Sequence, residues 1–226
     1  MTKMHHLLIL DSSGSMRGVC QETINGVNEQ LAVIKQNQEQ YESDQEHFIS
    51  LVVFGSAEDR IVYKIWKKPC NEVEDITTET YIPFGSTPLF DAIGMGIQGL
   101  RNEIKEDLED DTTRLSVAIF TDGQENSSEE FTGEDVSALV QELQDTNRWL
   151  ITFVGCDDNV FEVAASMNIS RGNTMRYSRG IEGTTAAFTR MSETYTKMSH
   201  SVNENTFDNL SISGVYNDEE EENDDE

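Results

Sequence analysis

Two short, mostly apolar runs in this chain each stop at an aspartate set among small polar residues. Residues 7–10 lead into Asp11-Ser12-Ser13-Gly14-Ser15, and residues 115–120 lead into Thr121-Asp122-Gly123. Runs with little polar interruption suit strands buried on both faces, as in a parallel sheet covered by helices. In such open α/β sheets, ligands bind beyond the carboxyl ends of the strands. The pattern therefore points to one place where the chain gathers its chemistry.

The rest of the chain supplies the covering layers. Ile24, Val27, Leu31 and Ile34 have helical spacing within a helix expected over residues 20–44. Strands are expected at 47–56 and 60–66. Their very short link requires an antiparallel hairpin, because parallel neighbours need a long crossover. Lys64, Lys67 and Lys68 suit the second of these strands to the sheet edge. After a loop over 67–86, a helix is expected to begin at Pro88, a good first helical residue, and to run to Leu108. Its Gly94, Gly96 and Gly99 imply close packing on the sheet. Further elements are expected at 115–122 (strand), 133–146 (helix), 149–156 (strand), 158–168 (helix), 174–178 (strand) and 183–200 (helix). The expected architecture is a doubly wound α/β domain over residues 1–200, with six strands, one of them antiparallel at an edge. A polar linker and an acidic tail are expected over 201–226.

Charge narrows the function classes. The chain of 226 residues carries a formal net charge of −27, which repels nucleic acid and anionic lipid. The last nine residues hold eight acids and no base, so they are expected to be disordered and solvating. Removing that −8 from −27 still leaves −19 on residues 1–217. Three widely spaced cysteines, Cys20, Cys70 and Cys156, form neither a disulfide framework nor a zinc motif. No signal-peptide core or membrane span is visible, so a cytoplasmic protein is expected. The four histidines are scattered and suggest no ligand set.

The strand-end residues suit a hard cation. Hydroxyl and carboxylate oxygens favour Mg²⁺, with Mn²⁺ or Ca²⁺ possible, over zinc. Ser13 and Ser15, two apart in a turning loop, can point at one ion. Thr87, in Gly85-Ser86-Thr87-Pro88, can add a third oxygen and also cap the helix that follows. Asp11 and Asp122 can hold the waters that complete an octahedron. Arg17 and Glu125 lie near the rim as candidates for partner contact.

The set Asp11-x-Ser13-x-Ser15, Thr87 and Asp122-Gly123 resembles the metal-ion-dependent adhesion site (MIDAS) of von Willebrand factor A (VWA) domains, over about residues 5–200. The resemblance implies direct coordination by Ser13, Ser15 and often Thr87, with Asp11 and Asp122 acting mainly through water. It also implies that a partner's carboxylate is the last metal ligand. Neutral direct ligands leave the ion electrophilic, so metal and partner should bind cooperatively. The expected role is thus a protein-interaction module binding an Asp or Glu of a protein partner within a basic surface, with no nucleic acid, membrane or catalysis involved. Stand-alone members of the family, such as the tellurite-resistance group, suggest a bacterial stress-response complex or one built on an ATPase or kinase. Two other readings are a Mg²⁺-dependent phosphoryl-transfer hydrolase and a structural subunit with a purely stabilising metal. The hydrolase reading lacks the second aspartate that a haloacid-dehalogenase-like site would place where Ser13 stands. The acidic tail, tethered close by, could also compete for the metal in cis.

Overall fold

A computed structural model describes residues 1–55 and 59–216. The strands are β1 (Thr2–Asp11), β2 (Gln45–Phe54), β3 (Ile61–Pro69), β4 (Arg114–Thr121), β5 (Trp149–Gly155) and β6 (Thr174–Arg176). They form one sheet in the order β3-β2-β1-β4-β5-β6. Only β3, at the edge, is antiparallel to its neighbour. Strand order reverses around β1, which puts the ends of β1 and β4 side by side at the switch point.

Alternation along β1 sorts the core into two layers. Met4, Leu8 and Leu10 pack with α1 (Cys20–Gln40), α5 (Ile181–Asn203) and α6 (Phe207–Ser213). Leu7 and Ile9 pack on the other face, against α2 (Leu89–Glu103), α3 (Gly133–Gln144) and α4 (Val160–Ser166). The expected doubly wound fold is the observed one. No helix among the described residues is long and apolar enough to cross a membrane.

Three expectations need correction. The helix expected to reach Leu108 stops at Glu103, and residues 107–109 form a separate short turn of helix. Of its glycines, Gly94 packs against Phe131 in the loop before α3 and Gly99 against Trp66 of β3, while Gly96 meets Leu7 and Ile9 of β1. The expected linker from 201 onward is instead folded through Tyr216. Helix α5 runs to Asn203, α6 follows, and Phe207, Val215 and Tyr216 are buried in the α1/α5 layer. Three isolated apolar residues among polar ones carry no helical period, yet they cap the end of that layer. The acidic run 218–226 lies outside the described residues.

Histidines that look scattered in sequence form a buried chain across the sheet. Gln45 Nε2 donates to the Ser199 carbonyl at 2.7 Å, so Gln45 Oε1 must accept from His47 Nε2 at 3.1 Å. His47 Nδ1 then accepts from His6 Nε2 at 2.9 Å, and His6 Nδ1 accepts from Ser116 Oγ at 2.8 Å. Every link is satisfied with both rings neutral. Burial lowers the pKa of His47 from 6.5 to about 4 and holds His6 well below 6.5. The unfolded chain therefore takes up these protons first. Stability is full above about pH 6.5 and falls as the pH drops toward 4, by about 1–2 kcal/mol at pH 5 for His47. Urea unfolding at pH 7 and pH 5 should show this loss, and a His47→Gln variant should show a shallower one.

Candidate metal centre

The end of β1 is held open and rigid by its neighbours. Ser12 N donates to Phe54 O at 2.7 Å, Phe84 N to Ser12 O at 2.8 Å and Gly14 N to Gly85 O at 3.1 Å. The first loop is thereby stitched to the loop carrying Thr87. Gly55 makes the close approach possible. Its φ is +74°, and a Cβ there would run into the Ser86 carbonyl and sit 3.1 Å from the Ser13 backbone. Gly55→Ala should therefore destabilise the domain by roughly 2 kcal/mol or more in chemical unfolding.

Within this frame the predicted donors converge. Ser15 Oγ donates to Asp122 Oδ1 at 2.6 Å, which leaves Ser13 Oγ to donate to Ser15 Oγ at 3.0 Å. Three side chains from chain-distant loops thus share one short run of oxygens. Thr87 is 4% exposed, and its Oγ1 lies 3.5 Å from the point where a Gly123 Cβ would stand. Among the described residues, Thr87 Oγ1 makes no hydrogen bond. Asp11 is fully buried; its Oδ1 accepts from Ser13 N at 2.7 Å and its Oδ2 from Thr121 Oγ1 at 2.6 Å. Burial pushes the Asp11 carboxyl up to about 6, against the pull of the Thr121 and Ser13 hydrogen bonds. All these partners are neutral, so the ionised carboxyl lacks the counter-charge that a nearby cation would supply.

The donor chemistry fits a hard divalent cation. No group of three His, Cys, Asp or Glu side chains could hold a metal among the described residues. A centre here would rest on the hydroxyls of Ser13, Ser15 and Thr87, with Asp11 and Asp122 behind them.

The expected helix cap is not where it was placed. Pro88 precedes α2 as its cap residue, and no side chain within that segment caps it. Glu125 does the work from another loop, accepting from Phe90 N at 3.0 Å. The same carboxylate accepts from Ser127 N, Ser128 N and Ser128 Oγ at 2.6–2.7 Å. Burial would raise its pKa, but these donors hold it below the usual range. Glu125 is thus committed to the fold, and its expected role in partner contact gives way to one as a cap. Arg17 is exposed, its Nε donating to Pro83 O at 3.2 Å with its guanidinium over Phe84 at 5.6 Å.

Several residues at the site were not read from the sequence. Tyr81 Oη donates to Asp11 O at 2.5 Å and braces the end of β1. Asp91, buried at the start of α2, accepts from the backbone N–H groups of Glu129, Glu130 and Phe131 at 2.8 Å each. Arg179, after β6, donates through Nη2 to Asp122 O at 2.7 Å and to Asp157 Oδ1 at 2.5 Å. Only Thr121, adjacent to Asp122, carried a local signal.

No protein-family model matches the chain, and no curated protein does. Solved structures do. The pilus adhesin SpaC of Lactobacillus rhamnosus GG aligns with 87% of this chain and 31% of its own, at 12% identity and a TM-score of 0.61. Proximal thread matrix protein 1 from the mussel byssus aligns with 92% and 46%, at 13% identity and a TM-score of 0.56. The sheet order, the antiparallel edge strand and these alignments agree. The fold is that of a von Willebrand factor A (VWA) domain. The SpRpn10 VWA domain matches more loosely, at 11% identity over 83% of this chain and 94% of that one, with a TM-score of 0.48. A further structure of the mussel protein has a zinc-occupied MIDAS motif. The chain spans less than half the length of the adhesin and of the mussel protein.

Proposed function

We propose that this VWA domain is a metal-dependent protein-interaction module. It binds a divalent cation, Mg²⁺ in the resting case, through Ser13, Ser15 and Thr87, with Asp11 and Asp122 holding water. An Asp or Glu side chain of a partner protein completes the coordination. The observation that carries this reading is the Ser13–Ser15–Asp122 oxygen run beside Thr87, whose hydroxyl makes no hydrogen bond among the described residues. When bound, the ion would supply a Lewis-acid position for a carboxylate. The chain's own residues orient the hydroxyls, hold the carboxylates behind them and position the ligand. A cytoplasmic, stress-response setting beside an ATPase or kinase is part of the proposal, and rests only on the resemblance of the Asp11-x-Ser13-x-Ser15, Thr87 and Asp122-Gly123 set to that of VWA domains.

Calorimetric titration with Mg²⁺, Mn²⁺, Ca²⁺ and Zn²⁺ tests the first step. Mg²⁺ should bind at one site and lose most of its affinity in Ser13→Ala. Partner capture from the source cells should be abolished both by EDTA and by Ser13→Ala. Metal binding that Ser13→Ala leaves intact would overturn the reading. With −27 on the chain, the partner surface around the acidic residue should be basic. Partner affinity should then fall steeply between about 50 and 300 mM salt, as exposed charges are screened beyond roughly 8 Å. A flat salt response would remove that part.

A further inference from the structure

The residues around and after β6 reverse the charge balance of the whole chain. Residues 171–190 hold four arginines and one acid, against 16 bases and 43 acids overall. One of these arginines reaches the candidate metal centre. Arg179 Nη1 lies 3.8 Å from Asp122 Oδ2, the carboxylate oxygen opposite the one held by Ser15. Its Nη2 is anchored on Asp122 O and Asp157 Oδ1, which fixes the guanidinium at the ends of β4 and β5. The side chain is nevertheless 58% exposed. Guanidinium carries five N–H donors in a planar fork suited to carboxylates. Arg176, the last residue of β6, is 55% exposed and 3.7 Å from Asp158.

Resting on the metal-dependent reading above, we propose that Arg179 is the second anchor of the site. The ligand is then a segment with two neighbouring acids, one for the ion and one for the Arg179 guanidinium. Ser15 Oγ and Arg179 Nη1 grip opposite oxygens of one carboxylate. They are separated by no more than that carboxylate's width plus the two contacts. Two acids on one face of an extended segment stand about 7 Å apart, a matching span. A cation bound beside Asp122 draws on the carboxylate charge that Nη1 faces, which frees Nη1 for the incoming acid while Nη2 stays anchored on Asp122 O and Asp157 Oδ1. The arrangement also answers a difficulty set by the net charge, since a second fixed cation offsets the repulsion that an acidic ligand meets here.

Two capped peptides, Gly-Asp-Gly-Glu-Gly and Gly-Asp-Gly-Gln-Gly, test the inference by NMR titration of the full chain with Mg²⁺ and with EDTA. The two-acid peptide should bind about tenfold tighter in Mg²⁺. Arg179→Gln should erase that preference, leave the one-acid peptide within about threefold, and leave Mg²⁺ binding equal or tighter, because a like charge is gone. Equal affinity of the two peptides for the unmodified chain overturns the proposal and leaves the metal-dependent reading standing. A loss in Arg179→Gln that is the same for both peptides makes Arg179 a staple between loops and also overturns it. If neither peptide shows Mg²⁺-dependent binding, the parent reading fails, and this one with it.

Discussion

Asp122→Ala should lower Mg²⁺ affinity by about 100-fold, the upper range for removing a group that orients metal ligands. The substitution takes away the acceptor of the Ser15 hydroxyl and one of the two carboxylates behind the site. Ser15 is exposed and would lose its fixed direction. The fold should tolerate the change, since Arg179 still holds the Asp122 carbonyl through the backbone. Calorimetry should therefore show metal binding lost while the urea midpoint shifts by no more than about 1 kcal/mol equivalent. Asp122→Asn separates geometry from charge. The amide can still accept from Ser15, so a loss as large as that in Asp122→Ala would assign the effect to the missing charge.

Asp91→Ala should give the largest stability loss of the polar substitutions, about 3 kcal/mol. The side chain is 1% exposed and accepts three backbone N–H groups, from Glu129, Glu130 and Phe131. Arg60 Nη2 reaches the same carboxylate at 3.1 Å. Alanine would leave those amides without an acceptor and the arginine without its buried partner. Because the segment it holds begins at the Glu125 cap of α2, Thr87 should lose its position as well. Weaker metal binding should then accompany the lower urea midpoint. Asp91→Asn keeps an acceptor and should recover part of both.

What could be read from the sequence followed from how local each signal is. Residues 7–10 and 115–120 announced buried parallel strands because each is mostly apolar, and the short hairpin link placed β3 antiparallel at the edge. The meeting of Ser13, Ser15 and Asp122 was legible, since each lies within a few residues of a strand end that topology brings to the switch point. Arg179, Tyr81 and Asp91 were not legible. Their contacts span 57, 70 and 38–40 residues of sequence, and no periodicity marks such contacts. Glu125 was placed near the site, but its role was misread because its four donors come from the first turn of α2 and from a loop whose conformation only the fold determines. The end of the domain was set too early for a related reason. Phe207, Val215 and Tyr216 are too sparse to show a pattern, and their value lies in the gap they close over α5.

A crystal of the full chain soaked in Mn²⁺, with an anomalous difference map, asks most directly whether the loops after β1 and β4 share one ion. A single strong peak within about 2.3 Å of both the Ser13 and Ser15 hydroxyl oxygens, with Asp122 reaching it directly or through one water, is the predicted result. A map with its manganese peak on the acidic surface and nothing between those hydroxyls would contradict the account.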